Sequence, residues 1–321
     1  MSAQMKQVFN LRTFFSFIKK IDNKHLYKIE PSSKNILHNI HISWLNSIHS
    51  KSQSNFPVYL KKEKDHAGVK NTLCYGFIEK TFDLYPEMIV FYEDECNIKN
   101  ESVLKLMLTV PKQDIMQYFF QWQRYRKYWW SSTTTTPSLF AVKDMTHGPS
   151  TIDTQIVAKF HDNEIIVENV SISTVKNLSE HTAILTCSMS LETALCTLLL
   201  DGVLNKTTNG YLRLHNKMAP YKISFALNCQ DSNNQQILEQ LATLIYSKLN
   251  ARHISTLLSN FSLPLQAQIE ENLERGVTYT AILSDDSLKN GIFQLLNSST
   301  MLKEQVHLSD FEDYASLICS K

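Results

Sequence analysis

The chain has 321 residues, of which 43% are apolar and 10% aromatic, enough to bury a real core, while 20% charge is too little for a disordered polyelectrolyte. At roughly 100 to 200 residues per domain the length argues for about two domains. The longest charge-free apolar run, Thr193 to Leu200, is eight residues, far below the ~20 that span a bilayer, so no membrane partner is expected.

Net charge is +1 but unevenly spread: residues 1–70 carry 12 Lys/Arg against 4 Asp/Glu, and residues 71–321 carry 20 against 27. Residues 1–21 contain Lys6, Arg12, Lys19 and Lys20 with no acid, and Val8, Leu11, Phe15 and Ile18 recur at helical spacing. Such a segment reads either as a mitochondrial transit segment or as an ordinary basic N-terminal helix.

Residues 114–130 hold eight aromatics, among them Trp122, Trp129 and Trp130. Asp114 is placed to cap a helix whose stripe is Ile115, Phe119, Trp122, Tyr125 and Trp129. Ser131 to Ser138, with four threonines and Pro137, stops it as a loop. From 151 to 191 three runs rich in β-branched residues follow, the first two separated by a tight turn at His161 to Asn163, which predicts an antiparallel meander. Leu191 to Leu200 reads as a helix ending at Asp201-Gly202, and the polar stretch to Gly210, including Thr208 and Asn209, marks a domain boundary just after it.

The last hundred residues alternate strands and helices. Strands are expected at Lys222–Leu227, Ile254–Leu258, Tyr279–Leu283 and, after an Asn290-Gly291 turn, Ile292–Leu296. Residues 234–250 form an amphipathic helix with Ile237, Leu238, Leu241, Leu244, Ile245 and Leu249 on one face. A second opens at Pro264 and stops at Gly276, and a third follows a Ser309-Asp-Phe-Glu312 capping box. The expected result is a small mixed α/β sheet with helices on its faces.

Chemistry is sparse. Seven glycines, no two closer than eight positions, cannot build the clustered phosphate-cradling loops of a P-loop NTPase, a Rossmann dehydrogenase or a kinase. No GxSxG and no CxxC occurs, and His38 and His41 have no partnering carboxylate or cysteine nearby in sequence, so no nucleophile or metal site is assigned. Glu93-Asp94-Glu95, Glu270-Glu271 and Asp285-Asp286 read as solvated charge rather than acid/base pairs. Arg124, Arg126 and Lys127, interleaved with aromatics, are candidate DNA contacts, with a buried aromatic stripe and solvated cations as the alternative.

Several segments also resemble a known family. Arg126-x-x-Trp129-Trp130 with the Ser/Thr/Pro loop after it, Met218-Ala-Pro-Tyr-Lys222, Thr280-Ala-Ile-Leu-Ser284, Ser287-Leu-Lys-Asn-Gly291 and Ser299 to Ser309 are similar to the accessory subunits of mitochondrial DNA polymerase gamma. The agreement covers about the last third of the chain plus the tryptophan segment. That family looks like class II aminoacyl-tRNA synthetases that have lost their chemistry. The resemblance implies a catalytically inactive, synthetase-like antiparallel-sheet domain at 22–210 and an anticodon-binding-like mixed α/β domain at 211–321, a combined α+β and α/β fold. An active synthetase needs an FRxE-type arginine and a Gly-rich motif ending in Arg; none of the six arginines has the needed neighbours, and Ser190-Leu-Glu192 stands where the Gly-rich motif would lie.

The implied role is non-enzymatic and needs no cofactor: a processivity subunit in the mitochondrial matrix and nucleoid that binds the catalytic subunit and primer-template DNA. Lys222, Gly291, Ser299, Thr300, Lys303 and His307 are its candidate partner-facing residues. Leu296 to Thr300 replaces an Arg-rich segment of relatives, and the chain is too short for the helical bundle by which vertebrate members dimerise, implying a 1:1 heterodimer. The alternative is a divergent synthetase or a synthetase-derived tRNA-binding protein.

Overall fold

The computed structural model describes residues 3–21, 24–51, 58–60, 73–75, 89–94, 97–99, 102–161, 163–173, 182–207, 210–229 and 232–319. Glu95, Asp162, Thr208 and Asn209, which entered the readings above, lie outside them. Backbone contacts divide the chain into two units, Met1–Asn10 with Phe15–Ile29 and Ile40–Asp201, and Leu11–Phe14 with Glu30–Asn39 and Gly202–Lys321. This cut falls at Asp201/Gly202 rather than after Gly210.

The first unit opens with α1 (Ala3–Phe9), β1 (Phe15–Ile21), β2 (Lys24–Ile29) and α2 (Pro31–Lys51), whose Ile40 onward belongs here. A single helix through residue 18 is therefore not what forms. Phe15 and Ile18 lie on a strand, because β1 pairs antiparallel with β2 from Phe15↔Ile29 to Ile21↔Lys24. Then come β3 (Val58–Leu60), β4 (Leu73–Tyr75), β5 (Ile89–Asp94), β6 (Asn97–Lys99), β7 (Val103–Pro111), α3 (Ile115–Ser131), β8 (Phe140–Val142) and β9 (Thr146–His147). The expected meander follows as β10 (Thr151–Lys159), β11 (Glu164–Ser173) and β12 (Thr182–Ser190), leading into α4 (Leu191–Leu204).

Among the described residues two sheets result: β1-β2-β5-β6, and β3-β4-β7-β12-β11-β10-β8 with β9 beside β10. The β7, β12, β11 and β10 pairings are all antiparallel. Their inward residues alternate, as Val170 and Ile172 or Ala183, Leu185 and Cys187 show, and α3 packs on this sheet. Asp114 takes the N-cap position of α3 but makes no side-chain cap bond.

In the second unit β13 (Tyr221–Asn228), α5 (Ser232–Ala251), β14 (Thr256–Leu257), α6 (Leu265–Glu274), β15 (Val277–Ser284), α7 (Asp285–Asn290), β16 (Ile292–Asn297), β17 (Lys303–His307) and α8 (Phe311–Cys319) form a sheet of order β14-β13-β15-β16-β17. β13 is parallel to both neighbours, and the β15-β16-β17 pairs are antiparallel. Period-two alternation splits its side chains: Ile223, Phe225 and Leu227 pack with α5 and α8, and Ala226 and Ile282 pack with Ile269 and Leu273 of α6. Gly276 follows α6 at φ +74, the expected left-handed stop.

Three local expectations are corrected. Gly202 does not end α4, which runs to Leu204; a Cβ there would stand 2.8 Å from the Arg213 carbonyl oxygen, so this glycine serves close chain approach. On α5 the buried line is Leu238, Ala242, Ile245 and Leu249, whereas Ile237 and Leu244 are about half exposed. Helix α8 begins at Phe311, and Ser309 Oγ lies 2.8 Å from both His307 Nδ1 and Asp310 Oδ1 instead of closing a capping box. The capping box belongs to α7, between Ser284 and Ser287.

Candidate functional site

Helix α3 contains no acidic residue, and its two sides differ in what they do with cations. Toward the sheet it buries Phe119, Trp122, Arg126, Trp129 and Trp130. Arg126 Nε donates to Glu168 Oε1 at 2.7 Å, and Trp130 Nε1 donates to Glu168 Oε2 at 2.8 Å. The remaining guanidinium nitrogens reach Ser47 Oγ at 2.9 Å and Met189 Sδ at 3.8 Å. The Trp129 ring lies 4.6 Å from the guanidinium carbon. Beneath them the Cys187 thiol is pushed well above its ordinary pKa by burial and by the Glu168 charge.

Arg126 is therefore withdrawn as a DNA contact. It is 1% exposed and fully occupied as a buried ion pair that desolvation would make prohibitive without Glu168. The outer side of α3 carries the opposite arrangement. Phe120, Arg124, Lys127 and Tyr128 follow one stripe at i, i+4, i+7 and i+8, all exposed, with Tyr128 at 68%. The sequence reading named the two cations but missed the two rings, which the same helical phase would have added. Cations beside exposed rings on an acid-free helix suit phosphate and base contact.

The Ser/Thr loop after α3 is structural. Ser132 Oγ and Thr133 Oγ1 donate to the Trp129 and Trp130 carbonyls at 2.8 and 3.0 Å, and Thr135 donates from both N and Oγ1 to Asp201 Oδ2 at 2.7 Å. Small hydroxyls here satisfy the last carbonyls of the helix. Glu192 is likewise held in the core, its Oε2 accepting from the Ser102 amide at 2.9 Å. The paired acids are also engaged: Asp285 Oδ1 accepts from Asn234 Nδ2 at 3.0 Å, and Glu271 pairs with Arg275 at 2.6 Å. Among the described residues no cluster of three or more His, Cys, Asp or Glu has the arrangement to hold a metal.

Five of the six partner-facing candidates gather around β16 and β17. Gly291 closes α7 at φ +72, and a Cβ on it would lie 2.7 Å from His307 Nε2. His307, at the end of β17, sits opposite Ile292 in the register, and the Leu308 amide donates to the Gly291 carbonyl at 2.8 Å. At the other end of the hairpin Asn297 organises the loop, its Oδ1 accepting from the Ser299 and Thr300 amides at 2.9 and 3.3 Å. Met301, at φ 57, packs inward, and Leu302 stands 71% exposed beside exposed Thr300 and Lys303. Leu302 lies inside the Ser299 to Ser309 motif but was not singled out in it, because hydropathy alone does not tell which apolar residue of the loop faces solvent.

Lys222 is separate from this group. On β13 its Nζ donates to the Asn216 carbonyl, and burial lowers its pKa to about 8, opposed by the nearby Cys319. Burial raises the Cys319 thiol to about 11. Asn216 Nδ2 donates to the Ile318 carbonyl at 3.0 Å, so Lys222 joins an internal network rather than offering a free cation.

Residues 227–316, from the end of β13 into α8, match the family described as Anticodon binding domain. Across a longer stretch, 226 residues are 26% identical to DNA polymerase subunit gamma-2, mitochondrial, of Drosophila melanogaster, and the match covers 62% of this chain and 62% of that protein. The chain resembles polymerase gamma accessory subunits. The resemblance carried by the tryptophan segment and the C-terminal motifs thus extends over more than half of the chain. Among the described residues no helix is long and apolar enough to cross a membrane.

Proposed function

We propose that this chain is a non-catalytic accessory subunit of mitochondrial DNA polymerase gamma, located in the mitochondrial matrix and nucleoid. The observation that carries the reading is its similarity to the Drosophila gamma-2 subunit, supported by the anticodon binding domain in the C-terminal unit. In this reading residues 22–210 are a synthetase-like domain without chemistry, and residues 211–321 dock one catalytic subunit. The chain needs no cofactor for this role. Exposed Leu302, with the polar Ser299, Thr300 and Lys303 close by in sequence, has the character of a protein contact; Gly291 and His307 shape the same hairpin. Arg124 and Lys127, with Phe120 and Tyr128, face primer-template DNA.

The physical effect is tethering. Holding the polymerase and its template together makes rebinding after dissociation nearly intramolecular, which raises processivity without new chemistry. Phosphate contacts by Arg124 and Lys127 make the added affinity fall with salt.

A synthetase-derived tRNA-binding role is the second reading, favoured by the anticodon binding match alone. Two measurements separate them. Co-elution with the polymerase gamma catalytic subunit at 1:1, with no amino-acid-dependent ATP–pyrophosphate exchange, supports the accessory role. Measurable exchange, or tRNA binding without polymerase association, overturns it.

A further inference from the structure

The β1–β2 hairpin carries an aromatic side chain that the core does not use. Phe15 is buried, yet Phe17, two positions on, is 55% exposed. The pairing register shifts between Phe17 and Lys19, and such a bulge re-aims the side chains around it. Phe17 stands opposite Tyr27, and Lys20 stands opposite His25. Directly opposed residues of an antiparallel pair share a face, so these four side chains line one surface. The Phe17 ring centroid is 5.6 Å from Tyr27 and 6.0 Å from His25, and the Phe9 ring lies 4.8 Å from Tyr27. A ring is thus held in place with solvent over it.

Lys20 is exposed on the same face as the ring, and β1 and β2 contain no carboxylate; Lys19 and Lys28, opposite Leu26 and Ser16, are exposed on the other face of the hairpin. An exposed aromatic on a sheet with a lysine on the same face is an arrangement on which an unpaired base stacks while a neighbouring phosphate meets the lysine. A duplex does not fit this site, because its bases are stacked on one another and present no free face to Phe17. An acidic side chain would satisfy Lys20 but leave the ring without a partner.

We infer that the β1–β2 hairpin binds single-stranded nucleic acid, with one base stacked on Phe17 and an adjoining phosphate on Lys20. The site is distinct from the outer stripe of α3 and stands on the hairpin alone, independent of the accessory-subunit reading. It requires residues 1–21 to remain on the chain.

The test is fluorescence anisotropy of a labelled oligothymidylate with the full chain, without polymerase, over a salt series. F17A is expected to weaken binding roughly 5- to 100-fold, the range for loss of one stacked base. F17W is expected to restore it, and K20Q to reduce the salt slope by about 0.7. Thermal unfolding of F17A checks that the fold is retained. No binding by the wild-type chain, equal binding by a folded F17A, or weakening by R124A/K127A with F17A unchanged would each overturn the inference. Because polymerase is absent, those results leave the accessory role to its own co-elution test.

Discussion

Arg126 and Glu168 meet at 2.7 Å with side-chain exposures of 2% and 0%, so the most suggestive cation of the aromatic helix is a structural element of the core. Glu168 also accepts from Trp130, which ties α3 to β11 through both carboxylate oxygens. Removing either charge leaves the other buried and unpaired. R126M or E168Q alone is expected to lower unfolding free energy by ~3–5 kcal/mol in urea denaturation. The double variant R126M/E168Q keeps an acceptor for Trp130 and removes both charges, and it is expected to be more stable than either single variant.

Gly291 and His307 form a second interlocked pair. A side chain at 291 has to adopt φ +72 and meets the imidazole at 2.7 Å. G291A is expected to cost about 2 kcal/mol or more, from left-handed strain plus the clash. H307A relieves only the clash, so G291A/H307A should recover part of the loss. Chemical denaturation of the four-member cycle reads this coupling directly.

Lys222 gives the C-terminal unit a pH signature. Its folded pKa of about 8 lies below the ordinary lysine value of 10.5, so between those values the unfolded chain binds more protons and stability rises with pH. Cys319, raised from 9.0 to about 11, acts with the opposite sign from pH 9 upward. Thermal unfolding from pH 8 to 9 should therefore show a rise that K222M flattens; an unchanged rise in K222M would place its origin elsewhere.

Removal of residues 1–21 is expected to destabilise the chain strongly. Val8 and Phe15 are 0% and 1% exposed, and each fully buried side chain of this size contributes ~1.5–3 kcal/mol. A truncated chain with unchanged melting temperature would instead favour the transit-segment reading of this stretch.

The C-terminal unit was the most legible part of the sequence, because its strands and helices each carry a strong period. The strand at 222–227, the helix at 234–250 and the Gly276 stop all stand within a few residues of expectation. Misreadings arose where one pattern served two purposes. Val8, Leu11, Phe15 and Ile18 keep helical spacing, but pairing with β2 draws the latter part into a strand. Ile237 and Leu244 lie on the margin of the α5 stripe, and hydropathy alone does not reveal which margin the sheet covers. Arg126 was in phase with Trp122 and Trp129, and Glu168 with Val170 and Ile172; two opposite charges on inward phases were the available sign of a buried pair. α7 was missed because six residues carry no helical period, and its capping box uses Ser284 and Ser287 rather than an acid. The exposed ring Phe17 could not be separated from core aromatics without knowing which face β1 turns to solvent.

Primer extension on a long single-stranded template by the polymerase gamma catalytic subunit, with and without this chain across a salt series, tests the central claim most directly. The account requires longer products per binding event with the chain present, an effect that weakens as salt rises and is reduced by R124A/K127A. Product lengths unchanged by the chain at every salt concentration would contradict it.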